Sequence, residues 1–372
     1  MDGNDSEKAA SKQRSVFETL RHDLLSGRYS SGKFPSEMAL MMRFRASRGL
    51  VRNVLRELTF AGFINARPRS GYVVSEGARN LGGCIGLVVP GAFREEIFSP
   101  ICQEISRIAH EEGYVLLFDD ISGTDKSERA RHAVAVAKDY IRRGVSGVIF
   151  QPIEFMGDSP RINGDIIRMF MDAGVPVVLL DYDIVPPPER SEFDLVCIDN
   201  FNAGRAVARH LVEQGARRIV FLMRDNWAFS VQERLAGCRY ATQYAKGVKV
   251  SVSYVEADDE KGVLALVSGK APADAIVCGN DILAARLLRT LRLIGRKVPE
   301  DVMVSGFDDM QHAVLVTPPL TTIHQPCSDM ARSLFDALRA RMRNPSSAPR
   351  TIVHRSPLVV RASTVRATGR AG

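Results

Sequence analysis

From residue 85 onward, short apolar runs alternate with longer segments of helical spacing. The segments between the runs, such as Phe98–Glu112 and Ala203–Gln214, are long enough for crossover helices. Runs of strand length are Ile85–Val89, Val115–Phe118, Gly147–Phe150, Val175–Leu180, Val196–Ile198, Ile219–Met223, Ser251–Val255, Ala275–Cys278 and Val302–Phe307. This alternation predicts an α/β fold with parallel sheets covered on both faces. A polar, proline-rich break at Asp183–Asp194 follows the fourth run, so we expect two α/β subdomains.

Polar side chains follow many of these predicted strands. They are Asp119, Asp120, Gln151, Asp181, Asp199, Asn200, Asn280, Asp281, Asp308 and Asp309. Ligands of open α/β sheets bind outside the carboxyl ends of the strands, so two facing subdomains would bring these groups onto one small polar molecule. Such residues also cap helices, and for Asn200 and Asp281, each directly before a predicted helix, capping is slightly favoured.

The charge of the chain is concentrated near its N-terminus. Residues 1–80 contain 14 Lys and Arg against 8 Asp and Glu, whereas the other 292 residues hold 36 against 35. A small basic module joined to a large neutral one is typical of a polyanion-binding domain fused to another function, and nucleic acid is the obvious polyanion. A solvated basic surface is the alternative that charge alone leaves open.

The order of residues in the basic module predicts a winged helix-turn-helix. Apolar residues from Val16 to Leu24 have helical spacing, Ser36 can cap a second helix, and Ser47 can cap a third. Two short strands, 62–64 and 72–74, flank a basic loop. Arg48 and Arg52 are four residues apart, so they share the exposed face of the third helix, the element that enters the major groove in such domains.

This module resembles the GntR-type DNA-binding domain over about 65 residues. The resemblance rests on Gly27-Arg28-Tyr29, Pro35-Ser36-Glu37, Ser47-Arg48, Val51-Arg52, Gly62-Phe63-Ile64 and Gly71-Tyr72-Val73-Val74. It implies a DNA-binding domain at 12–75, a linker at 76–83, and contacts to DNA from the third helix and the wing. The expected DNA-binding residues are Ser36, Ser47, Arg48, Leu50, Arg52, Arg67, Arg69, Ser70 and Gly71.

Residues 84–366 resemble a LacI/GalR-type effector domain, which is periplasmic-binding-protein-like. The resemblance rests on Ile85–Pro90, Glu233–Gly237, Cys278–Asp281, Val298–Val302, Gly306–Asp309, Pro319–Ile323 and Arg361–Thr364, in the family's order. It implies that Arg234, Asn280 and Asp308 contact an effector; weaker matches are Phe98, Asp120, Asp199, Trp227 and Gln325. The expected subdomains are about 84–190 plus 326–346, and about 195–324 plus 350–366. A GntR-type head on this domain resembles the arabinose-repressor architecture.

Together these features indicate a ligand-responsive transcriptional regulator, with a repressor released from its operator by a small sugar-like effector as the leading hypothesis. We expect a homodimer on inverted-repeat DNA, a sugar or sugar acid as effector, and no cofactor or metal. A corepressor-dependent repressor is the alternative, since some relatives are corepressed and relatives of this fold also bind purines.

Two other classes are less favoured. A solute-binding protein of a transporter would share the fold, but the first fifteen residues lack the apolar core of a secretory signal, so we expect a cytoplasmic protein. An enzyme on this fold is disfavoured because the chain lacks G-x-x-x-x-G-K-[ST], H-E-x-x-H and G-x-S-x-G. The six cysteines are scattered and form no C-x-x-C, as in a reducing compartment.

Overall fold

The computed structural model describes most of the chain. The described residues are 12–13, 15–17, 19–21, 23–24, 28–29, 34–60, 63–67, 71–74, 82–90, 96–119, 121, 126–154, 159–224 and 227–366. The statements below concern these residues.

The N-terminal module is a small helical domain with a hairpin. Described positions between 12 and 24 are helical, and helices α1 (Glu37–Phe44) and α2 (Arg48–Phe60) follow. Strands β1 (Ile64–Arg67) and β2 (Gly71–Val74) pair antiparallel, with Ile64 opposite Val74. Apolar residues from all these elements form one core, in which Leu40, Val54 and Leu58 are fully buried.

Both predicted helix caps of this module are confirmed. The Ser36 Oγ accepts a hydrogen bond from the Ala39 amide at 3.2 Å. The Ser47 Oγ accepts one from the Leu50 amide at 3.3 Å. Each bond satisfies an amide that would otherwise lack a partner in the first turn, and this fixes where α1 and α2 begin.

A parallel sheet of six described strands forms the centre of the first subdomain. Its order is β13-β7-β6-β5-β3-β4. The strands are β3 (Gly82–Val88), β4 (Tyr114–Phe118), β5 (Gly147–Phe150), β6 (Val177–Leu180), β7 (Asp194–Ile198) and β13 (Thr351–His354), and the helices are α3 (Phe98–Glu111), α4 (Lys126–Arg142), α5 (Ser159–Asp172) and α11 (Cys327–Arg343). Apolar clusters cover both faces of the sheet, as the continuous apolar runs predicted.

The second subdomain contains a parallel sheet of four described strands in the order β11-β10-β8-β9. Its elements are α6 (Asn200–Glu213), β8 (Arg218–Leu222), α7 (Phe229–Thr242), β9 (Lys249–Ser253), α8 (Glu260–Ser268), β10 (Ala275–Cys278), α9 (Asp281–Leu293), β11 (Met303–Ser305) and α10 (Gln311–Leu315). A short antiparallel pair, β12 (Thr322–Ile323) and β14 (Leu358–Val359), adjoins it.

The structure moves two predicted subdomain boundaries. We predicted that residues from 195 and from 350 belong to the second subdomain, but β7 and β13 both lie in the first sheet. Leu195 is in parallel register with Leu179 of β6, and Ile352 is in register with Val196 of β7. The proline-rich break therefore connects two neighbouring strands of one sheet, and the chain passes to the second subdomain after Ile198.

Glycines set the distance between α6 and α7. A Cβ on Gly237 would overlap the carbonyl oxygen of Phe201, and a Cβ on Gly204 would overlap that of Arg234. The two helices therefore pack backbone against backbone. This close contact holds Arg234 of α7 beside Asn200 at the start of α6.

We expect Gly237→Ala to lower the free energy of unfolding by about 1–3 kcal/mol, since an added methyl at a backbone contact must push the helices apart. Effector binding should weaken with it, because Arg234 lies on the displaced helix. Urea denaturation measures the first effect. Gly164→Ala in α5 is the control: an added Cβ there meets no atom within 4 Å, so it should gain roughly 0.5–1 kcal/mol of helix propensity.

Candidate effector cleft and DNA-reading surface

Residues from both subdomains enclose one small polar cavity. It lies beyond the carboxyl ends of β6, β8, β10 and β11, where ligands of such sheets bind. The lining residues are Ile97, Phe98, Glu154, Asp181, Trp227, Ala228, Ser230, Val231, Arg234, Gly279, Asn280, Asp308 and Gln325. The cavity measures about 40 Å³, roughly the room of one or a few water molecules.

Arg234 is the cation that the structure describes in this lining, and it is almost completely buried. Its Nε donates to the Asn200 Oδ1 at 2.9 Å, and its Nη1 donates to the Gly279 carbonyl at 2.8 Å. The guanidinium lies 3.5 Å from the centre of the Phe307 ring, as in a cation–π contact. Burial lowers the pKa of Arg234, and the nearby carboxylates, Asp308 first, oppose this shift.

Two acceptor atoms of the lining have no hydrogen-bond partner among the described residues. They are the Oδ1 of Asp181 and the Oε1 of Gln325. The other amide atom of Gln325, Nε2, donates to the Asp308 Oδ1 at 2.8 Å. Burial raises the pKa of Asp181, and Arg234 and the Ser230 hydroxyl partly offset this effect. Buried acceptors without donors are costly, so they mark positions that a ligand donor would fill.

Backbone strain is concentrated at the same strand ends. Asp181, Asp308 and Asp309 have φ values of 77°, 122° and 58°, a region that residues other than glycine rarely adopt. Surrounding contacts hold Asp309 in place: its carboxylate accepts from the Arg361 Nη2 at 2.6 Å and lies 3.0 Å from the His324 Nδ1. Strained backbone of this kind persists where a binding site determines its geometry.

Six of the eight predicted effector residues line this one cavity, namely Phe98, Trp227, Arg234, Asn280, Asp308 and Gln325. Their contact with an effector stays a prediction. Asp199 lies outside the cavity lining, because its carboxylate caps α6 by accepting from the Asn202 amide at 2.9 Å. The prediction for Asp120 falls outside the described residues.

The polar lining residues Glu154, Asp181 and Ser230 were absent from the predicted site. Asp181 had been noted at a strand end, and this signal would have found it. Ser230 lies in the first turn of α7, and Glu154 lies four residues beyond the end of β5, so neither position is marked by a strand end.

The two strand-end residues for which capping was favoured have different roles. Asn200 accepts from Arg234, and the neighbouring Asp199 is the cap. Asp281 is completely buried and accepts from the Thr322 Oγ1 at 2.7 Å and the Met310 amide at 3.2 Å, while Asn280 caps α9. Burial raises the pKa of Asp281 to about 7.

Contacts across the cleft join the two subdomains. The Ser230 Oγ donates to the Asp181 Oδ2 at 3.4 Å, and the rings of Phe229 and Tyr182 meet edge to face. Farther out, the His312 Nδ1 of α10 lies 2.5 Å from the Glu96 Oε1. The spacing of the subdomains is therefore held by side chains on both sides of the cavity.

The outer face of α2 carries the predicted DNA-reading arginines. Arg48 and Arg52 have 68% and 56% of their side-chain surface exposed, and the Nε of each lies 3.2–3.3 Å from the Glu37 carboxylate. Such exposed ion pairs contribute little to stability, so both side chains can leave Glu37 at little cost, and their contact with DNA stays a prediction.

The remaining predicted DNA-binding residues differ in placement. Arg67 is exposed at the end of β1, and Gly71 turns the hairpin with a φ of 78°. Leu50 packs partly against the module's core, so its side chain is less available than predicted. Arg69 and Ser70 lie outside the described residues.

None of the described helices has the length and apolar character that crossing a bilayer requires.

The fold and these two surfaces define a class of protein: a DNA-binding head joined to a two-subdomain ligand-binding domain. Comparisons with known proteins agree. Residues 12–74 match the gntR family of bacterial regulatory proteins, and residues 208–364 match the periplasmic binding protein-like domain.

Similar proteins are transcriptional regulators. The HTH-type transcriptional regulator CelR of Thermobifida fusca is 35% identical over 202 residues, which is 53% of this chain and 58% of that relative. The HTH-type transcriptional regulator DegA of Bacillus subtilis is 26% identical over 326 residues, covering 86% and 89% of the two chains. A solved transcriptional regulator CelR–cellobiose complex has a TM-score of 0.62 at 26% identity, covering 86% of this chain and 91% of that one.

This chain therefore combines a gntR-type DNA-binding domain with a periplasmic binding protein-like domain, which is the arrangement of a transcriptional regulator.

Proposed function

We propose that the protein is a cytoplasmic repressor that binds inverted-repeat operator DNA as a homodimer and is released by a sugar-like effector. The observation that carries the proposal is the cavity, where buried polar groups from both subdomains converge around Arg234. A ligand bound there contacts both subdomains at once, so it can change their spacing.

The character of the lining supports a polyol. Phe98 and Trp227 provide rings that can stack on the C–H faces of a sugar, and Phe307 lies directly behind Arg234. Carboxylate and amide groups provide acceptors for hydroxyl donors. The CelR–cellobiose complex shows that a regulator with this fold, at 26% identity, binds a sugar.

Two features support DNA binding by paired heads. The exposed arginines of α2 occupy the face that enters the major groove in helix-turn-helix proteins. One winged helix reads only a few base pairs, so two heads related by a twofold axis supply the specificity of an inverted repeat.

The position of the cavity supports a mechanism based on subdomain spacing. Residues of both subdomains line it, so an effector bound there can favour one spacing of the subdomains over another. A ligand shifts this equilibrium only through different affinities for the two arrangements. In the proposed mechanism, the effector-bound spacing disfavours the arrangement of heads that fits the operator.

Reciprocal titrations test this proposal. Because linkage is symmetric, operator DNA must weaken effector binding by the same factor by which effector weakens operator binding. We expect a factor of about 5–150, the usual range of coupling, and two chains per inverted repeat at saturation. Effector binding that tightens on operator would instead show corepression, and equal affinities would show that the cleft does not control the heads.

A further inference from the structure

We infer that the effector carries no negative charge, and that sugar acids and sugar phosphates are excluded by the carboxylates of the cavity. This inference rests on the proposed effector site and narrows its ligand class. It concerns a choice that the residue types alone left open, because Arg234 by itself would suit a sugar acid.

Charge is the first support. Three carboxyl groups line the cavity, those of Glu154, Asp181 and Asp308. Arg234 is the cation among the described lining residues. Asp281, outside the lining, also raises the pKa of the Arg234 guanidinium. Acidic groups thus outnumber the guanidinium at the cavity, so an incoming anion would meet mainly carboxyl groups in a buried space, where repulsion from any ionised one is poorly screened.

Arg234 itself is the second support. Its Nε and one Nη1 hydrogen are directed to Asn200 and the Gly279 carbonyl, and its ring-facing side is covered by Phe307. A ligand carboxylate therefore cannot form the side-on two-bond fork through Nε, which is one of the two ways in which arginine binds an anion with paired hydrogen bonds. The guanidinium holds the lining together and offsets its acidic charge.

The unpaired acceptors are the third support. The Asp181 Oδ1 and the Gln325 Oε1 are buried and accept no hydrogen bond from the described residues. Hydroxyl groups of a neutral sugar donate to such atoms. A carboxylate or phosphate group brings only acceptors at neutral pH and would face these oxygens without a proton to share.

Two neighbouring cations in the described part of the chain do not reverse this balance. Arg224 lies over the Trp227 ring, 5.6 Å from its centre, and is not part of the lining. Arg190 lowers the pKa of Glu233, which burial raises. The Arg190 side chain is exposed and lies outside the cavity lining.

Calorimetry on the full chain tests the inference with matched neutral and acidic sugars. The probes are glucose with glucuronate, galactose with galacturonate, ribose with ribose 5-phosphate, and cellobiose alone. We expect the tightest binder to be neutral and its acidic counterpart to bind at least tenfold more weakly. For a uronate pair, the methyl ester of the acid removes the charge at nearly constant size and should recover most of the loss.

The Asp181→Asn variant assigns the effect to the cavity. Asparagine keeps the shape and tolerates the positive φ at this position, while one acidic group is removed. The ratio of the affinities for the neutral and the acidic ligand should fall severalfold. Asp199→Asn is the matched control, because it removes a carboxylate at the same sheet edge outside the lining and asparagine preserves the helix cap.

The outcomes separate this inference from the proposed function. An acid that binds as tightly as its neutral counterpart, or a panel with no neutral binder, overturns the inference. An equal fall of this affinity ratio in Asp199→Asn also overturns the inference, since the cavity carboxylates would then not be the cause of the preference for neutral ligands. If the bound ligand still releases operator DNA, the proposed function stands; if a bound neutral sugar leaves operator binding unchanged, the proposed function fails and the charge preference remains.

Discussion

Replacing both Arg48 and Arg52 with alanine is expected to lower affinity for the specific operator by two orders of magnitude or more. Each bidentate contact from arginine to a guanine discriminates by roughly 1–3 kcal/mol, and the two side chains lie one turn apart on the same exposed face. Fluorescence anisotropy with operator and scrambled duplexes measures the loss. Non-specific binding should fall much less, since it depends on many phosphate contacts.

The fold should survive this double substitution. Neither arginine contributes to the buried core of the head, and their shared partner Glu37 is partly exposed. Arg209→Ala is the control: it removes an exposed cation from α6, far from the head in the chain, and should leave operator affinity unchanged. A double variant that still protects the operator in footprinting would show that α2 is not the reading helix.

Periodicity was sufficient to predict the architecture of the effector domain, because buried parallel strands are short apolar runs and most of them are followed by a helix. Val177–Leu180 and Ala275–Cys278 lie fully buried where such runs were seen. The subdomain boundary was wrong because it depends on which strands pair. The edge strand Thr351–His354 alternates exposed and partly buried residues, so its place beside β7 left no apolar run to detect.

Predicted effector residues line the cavity where their chemistry coincides with a position near a strand end, as for Asn280 and Asp308, and their contact with an effector stays a prediction. Asp199 lies outside the lining, because a carboxylate directly before a helix finds amide donors one turn away, and this local bond directs it away from the cavity. Ser230 and Glu154 were missed because only the packing of the two subdomains brings them to the cavity. Long-range placement of this kind leaves no periodic signal.

The strained aspartates connect the fold to the site. Asp181 and Asp308 end strands of different subdomains, and each has a backbone conformation that glycine would adopt more easily. Glycine would remove the strain but also the carboxylate that lines the cavity. At position 279 the requirement is the reverse, because space and not a side chain is needed. A Cβ on Gly279 would overlap the Trp227 ring, so glycine at this position lets the ring reach the cavity lining.

Arg234→Ala is expected to produce a repressor that stays on its operator at effector concentrations that release the wild type. The substitution removes the cation among the lining carboxylates and the bonds to Asn200 and Gly279. Losing a charged hydrogen-bonding group costs roughly 1.5–3 kcal/mol, so effector affinity should fall by about 10- to 150-fold. Operator affinity without effector should stay within about twofold, because the substitution removes contacts of the cleft and none of the DNA-binding head. Operator titrations with and without effector, with Arg209→Ala again as the exposed-arginine control, measure both quantities.

Two outcomes would contradict this role of Arg234. Normal effector affinity in Arg234→Ala would show that this arginine does not belong to the effector site. Weakened operator binding without effector would show that Arg234 sets the spacing of the subdomains and not the affinity for the ligand.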